Sequence, residues 1–153
     1  SVWEPENLYL SLAAAAADEE LYMDKAGAVI RPRVDQLPGT CIDFYAVQNG
    51  AAAVGKGGSL ILAAQDAPLL WMGTLEAHPI KLMGEGSPNR DELYSWVMNN
   101  FWETNFKASL GGFYQFRYTL QTTPSCDPAE VFRTAEAINE GVLTFYAFEG
   151  EKK

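Results

Sequence analysis

A chain of 153 residues, 48% apolar and 20% charged, has the material to close one core without disulfide or metal staples. Its formal net charge of −9 opposes contact with phosphate backbones and anionic lipid, which argues against nucleic-acid and membrane-surface roles and leaves neutral ligands such as sugars open. No apolar run reaches the roughly 18 residues of a membrane span, and four Trp, seven Tyr, eight Phe, thirteen Gly and eight Pro lean towards a β-rich fold with many turns.

The chain opens at Ser1 with neither an initiator Met nor a signal-like segment, as a piece of a longer polypeptide would. In residues 7–17 Leu8, Leu10 and Leu12 alternate with Tyr9 and Ser11, which predicts a strand, although the alanine run behind them alone favours helix. Short strands over 21–23 and 28–31 flank a turn at Asp24 to Gly27. Pro32 and Pro38 bracket a loop that ends in Pro38-Gly39, where proline presets φ and glycine accepts positive φ. A β-rich run over 41–48 leads to Asn49-Gly50, a pair suited to a type I′ hairpin, with 51–54 expected to return antiparallel. Gly55-Lys56-Gly57-Gly58 makes the next turn, and 59–64 is an apolar strand. Gln65-Asp66-Ala67-Pro68 interrupts it before 69–73 resumes. A further strand is expected over 78–83, a surface loop over 84–90, and a strand over 93–98.

Two contrasting halves follow. Residues 99–106 set Trp102 among the amides Asn99, Asn100 and Asn105, with Phe101 and Phe106 alongside. Such a mixture serves either a loop whose backbone is held by side-chain amides or a sugar-contacting surface. From Tyr114 the pattern alternates: Tyr114, Phe116, Tyr118 and Leu120 on one face, Gln115, Arg117, Thr119 and Gln121 on the other, which predicts a central strand over 114–120. One helix is well signed. Asp127 supplies an N-cap, Pro128 the first helical position and Glu130 a capping-box acid; Val131, Phe132, Ala135 and Ile138 make its apolar stripe and Gly141 stops it. A closing strand over 142–148 completes the order. Many strands, one helix and a last strand make a mainly β chain, a single antiparallel β-sandwich domain over residues 1–153.

Chemistry is sparse. No nucleophile elbow, P-loop, dinucleotide fingerprint or HExxH occurs. Cys41 and Cys126 match no metal spacing, and two free buried thiols are expected rather than a disulfide. His78 is the single histidine, which leaves little for a zinc site or a catalytic triad. Asp35, Asp43, Asp66 and Glu103 lie in apolar or aromatic context, where carboxylate pKa values shift; Asp35 and Asp66 are expected to tie down turn backbone in proline-containing loops. Trp71 and Trp102 offer either core packing or stacking platforms for sugar rings.

These segments, taken together, resemble the C-terminal region of glycoside hydrolase family 38, the α-mannosidases. The likeness rests on Asn99, Asn100, Trp102, Thr104 and Asn105, then Phe116-Arg117-Tyr118, preceded by Asp66-Ala67-Pro68-Leu69 and by Gln36, Pro38 and Gly39. It runs in consistent order over residues 7–148; residues 74–90 match no part of it. The resemblance implies a supersandwich of the galactose-mutarotase-like kind, and it implies that zinc and the catalytic carboxylates belong to earlier parts of such enzymes, so no catalytic residue or cofactor is expected here. The expected role is a non-catalytic C-terminal β-domain that packs on the catalytic domain of the same polypeptide, in the cytoplasm. The alternative is a free-standing carbohydrate-binding or lectin-like module that meets mannose-containing glycans through Trp102, Asn100, Asn105 and Trp71. A third reading is an assembly domain with no ligand.

Overall fold

The computed structural model describes residues 7–12, 19–72, 75, 83, 93–99, 111–142 and 144. They form nine strands and one helix: β1 (Asn7–Leu12), β2 (Glu20–Lys25), β3 (Ala28–Ile30), β4 (Phe44–Ala46), β5 (Gly50–Gly55), β6 (Gly58–Ala64), β7 (Leu69–Trp71), β8 (Leu93–Asn99), β9 (Tyr118–Thr123) and α1 (Pro128–Glu140). One sheet has the order β1-β8-β7-β4 and the other β3-β2-β5-β6-β9. Every pairing in both is antiparallel.

The two sheets close on one core. Tyr45, Leu70 and Leu93 from the first meet Met23, Ala51, Leu62 and Ala64 from the second, all buried. This is the expected β-sandwich, with the expected helix near the C-terminus. The helix adds a third layer. Its Val131, Phe132 and Ala135 seat on Ala52, Val54 and Ile61, on the face of the five-stranded sheet that points away from the sandwich. Strand β5 is thus covered on both faces, which explains its alanines. Alanine is a poor strand former, but at the centre of three layers small side chains let the layers approach.

The helix starts as the sequence predicts. Asp127 accepts the Ala129 N–H at 3.0 Å and Pro128 fills the first turn. Glu130 does not close the box directly: it accepts the Ser125 hydroxyl at 2.8 Å, and that hydroxyl accepts the Asp127 N–H at 3.2 Å. Gly141, at φ 66, ends the helix and returns its N–H to the Ala137 carbonyl.

Three expectations are corrected. Asn49-Gly50 is not a hairpin: β4 and β5 lie in different sheets, and the pair carries the chain between them. The buried Asp24 carboxylate causes this by accepting the backbone N–H groups of Asn49 and Gly50, each at 2.9 Å, and the Asn49 side-chain amide at 2.7 Å. Gly50 is needed for a close approach, since a Cβ there would sit 1.9 Å from the Leu62 carbonyl oxygen. Second, the strand expected over 114–120 is β9, which begins only at Tyr118 and runs along a sheet edge. Its partner β6 ends at Ala64, opposite Tyr118, and the chain then leaves for the other sheet, so residues before Arg117 find no ladder among the described strands. Phe113 and Tyr114 are consequently exposed rather than core, and Leu120, which does pair with Leu62, is exposed on the last described strand of its sheet. Third, the run over 41–48 narrows to the three residues of β4, because β7 offers only three partners before Pro68, whose carbonyl takes the Val47 N–H at 2.9 Å.

Of the strand expected over 78–83 only Met83 is described; it exchanges hydrogen bonds with Gly39 and Thr40. The stretch 100–110 and most of the strand expected over 142–148 lie outside the described residues. Among the described residues no helix is long and apolar enough to cross a membrane.

Candidate functional site

Three side-chain clusters stand out, and the described motif residues fall mostly within the first two. The first frames the loop between β3 and β4. Gln36 accepts the Arg33 N–H at 2.7 Å and the Tyr45 hydroxyl at 2.7 Å, while its amide donates to Thr40 Oγ1 at 3.3 Å and the Cys41 carbonyl at 3.1 Å. All of its hydrogen-bonding capacity points inward to the loop. Arg33 has φ 67, a left-handed conformation that costs a non-glycine residue strain, and its guanidinium holds the Ile42 and Met72 carbonyls at 3.2 and 2.7 Å. Burial pushes the Tyr45 phenol up to about 12, against the pull of the nearby Arg33 charge. Pro38-Gly39 makes the expected turn, with Gly39 at φ 82 and the Thr40 N–H on the Leu37 carbonyl. Arg31 forks onto Asp35 at 3.0 and 2.8 Å, and these hydrogen bonds hold the Asp35 carboxyl down at about 2.

The second cluster joins two motif segments. Asp66, in the crossover from β6 to β7, accepts the Arg117 N–H at 2.7 Å and its guanidinium at two points, both 2.8 Å. The bond from the guanidinium holds the Asp66 carboxyl below its usual range. Asp35 and Asp66 therefore tie down loop backbone, as expected, and each does so through an arginine. Next to Arg117, Tyr118 exchanges a 2.7 Å hydrogen bond with Ser95 of β8 and so links the sheets. Pro68 receives Val47 at its carbonyl, Asn99 pairs with Asn7 at the end of β8, and Phe116 is half-buried.

The third cluster is aromatic. Residues alternating with core-facing Tyr45, Leu70 and Leu93 point out of the four-stranded sheet, and they are Phe44, Trp71 and Tyr94, with Tyr9 and Trp96 beside them. Tyr9 and Trp96 stack at 5.9 Å, Phe44 and Trp71 at 6.0 Å, and Trp71 meets Trp96 edge-on at 5.2 Å. Trp71 is 6% exposed, so this ring packs inside the cluster and presents no open face of its own. Its indole Nε1 is buried with no hydrogen-bond partner among the described residues. Tyr9, Phe44 and Trp96 are half-buried. Burial raises the Tyr9 phenol, and the Asp43 charge adds to the shift.

No family model matches the chain, and neither does any curated protein or solved structure.

Of the residues expected to touch sugar, Asn100, Trp102 and Asn105 lie outside the described set, as do Thr104, Glu103 and His78. The thiols of Cys41 and Cys126 are free, but Cys41 is half-buried and Cys126 exposed, because both lie in loops at the ends of elements and not in a core layer. No group of three or more metal-ligating side chains is present among the described residues. The aromatic cluster is what the sequence reading missed. Its signal was there: on β4, β7 and β8 aromatics sit next to the core-facing side chains, and Tyr9 of β1 pairs with Trp96.

Proposed function

We propose that this chain is the non-catalytic C-terminal β-domain of an α-mannosidase-like glycoside hydrolase and packs against the catalytic domain of the same polypeptide. The observation that carries this is that the described motif residues spend their hydrogen bonds within the fold. Asp66 holds Arg117, Gln36 holds Tyr45, and Tyr118 holds Ser95, so these residues fix the sandwich and do not converge on a reaction centre. A supersandwich of the galactose-mutarotase-like kind is the form such a domain would take.

A docking role is further supported by exposed apolar side chains on the edge strands β1 and β9 and at the end of β8. Leu8 and Leu10 on β1, Met98 on β8 and Leu120 on β9 are 54%, 45%, 40% and 65% exposed. A domain that keeps such residues bare gains from burying them on a neighbour, at about 25 cal/mol per Å². Zinc chemistry, in this reading, belongs to the partner domain, and two free cysteines suit the cytoplasm. The purified chain, incubated with an aryl α-mannoside, is expected to release no phenol. Turnover by this chain alone, abolished by an acid-to-amide change within it, would overturn the proposal.

A further inference from the structure

The outward face of the four-stranded sheet carries five aromatic rings where a solvated sheet face would carry polar side chains. Helix α1 lies on the far side of the other sheet, so no described helix or strand packs over these rings. We propose that this aromatic face binds a neutral pyranose sugar, whose C–H face lies on the half-buried rings of Tyr9, Phe44 and Trp96 and whose hydroxyl oxygen accepts the unpartnered indole N–H of Trp71.

Two observations choose a sugar over other occupants. A purely apolar partner would bury the rings but leave the Trp71 donor without an acceptor, and a buried unpaired donor is costly. A pyranose brings an apolar C–H surface for the rings and oxygens for the donor in one ring-sized unit. The net charge of −9, with Asp43 close enough to act on Tyr9, repels anionic alternatives such as phosphates or sugar acids. The Trp71 donor is buried, so the proposed contact requires a neighbouring ring to give way; Trp96 lies edge-on to Trp71 at 5.2 Å and 73°, and its own indole donates to Asn7 Oδ1 at 3.1 Å. The site uses nothing from a docking partner, so it stands or falls separately from the domain assignment above.

Saturation-transfer NMR on the whole chain, with methyl α-D-mannopyranoside and methyl α-D-glucopyranoside as probes, tests this. Transfer to the ring C–H protons is expected. Trp96→Ala and Phe44→Ala should each weaken it about tenfold, as loss of an aromatic anchor does, whereas Leu37→Ser on the remote loop should leave it unchanged. No transfer from the unaltered chain overturns the proposal. So does transfer that survives both variants, or that is lost only in Trp102→Ala. If the variants fail to fold, the indole N–H resonances of the unaltered chain decide. Titration should move the Trp71 and Trp96 signals; probe binding that leaves both in place overturns the assignment.

Discussion

At Gly50 one hydrogen atom stands where any other residue would press a methyl group into the Leu62 carbonyl. Gly50→Ala is therefore expected to destabilise the fold by about 1–3 kcal/mol, the usual cost of overpacking, read from urea unfolding at constant m. Asp24 is the complementary case: its buried carboxylate accepts two backbone N–H groups and one amide, and Asp24→Ala strands those donors. A loss of about 3 kcal/mol is expected in the same measurement. The carboxyls of Asp35 and Asp66 carry a pH dependence. Both are depressed by arginine hydrogen bonds, so the stability they contribute is present above the ordinary value of 3.8 and is lost as pH falls, for Asp35 towards about 2. Melting temperature should fall over that window, and less steeply in Asp35→Asn. That Asp35 and Asp66 serve backbone was legible from their proline loops. The Asp66 partner was not, because Arg117 lies 51 residues away and single-sequence patterns carry no such pairing.

Local signals decided the elements that depend on local chemistry. The helix is read correctly from Asp127 to Gly141 because caps and a 3.6-residue stripe are short-range properties. Asp127→Ala should cost about 1 kcal/mol as a lost N-cap, and Phe132→Ala about 3–5 kcal/mol as a cavity between helix and sheet; thermal unfolding checks both. Strand limits failed where a partner sets them. The alternation through Tyr114 is real, but the chain beyond β6 has already left the sheet, so the pattern finds no ladder among the described strands. Asn49-Gly50 carries a hairpin signature and forms a crossover because a carboxylate from β2 captures its N–H groups. The aromatic face stayed hidden for a related reason: its rings come from four strands scattered between residues 9 and 96, and only the register brings them together.

At the scale of the molecule the described residues are layered: an aromatic cluster outside one sheet, a mainly apolar core between the sheets, and a second core of Ala52, Val54 and Ile61 under the helix. That order leaves apolar edges at β1 and β9, the surface on which the proposed docking rests. The most direct test removes the domain and returns it. The longer polypeptide that the proposal requires, with this chain behind a catalytic part, is cut to that part alone, and the separately purified chain is then added back. Aryl α-mannoside turnover should drop on removal and recover on addition, with co-elution of the two pieces, and Leu10→Asp with Leu120→Asp should prevent the recovery. A catalytic part that keeps full turnover and thermal stability without this chain would contradict the account.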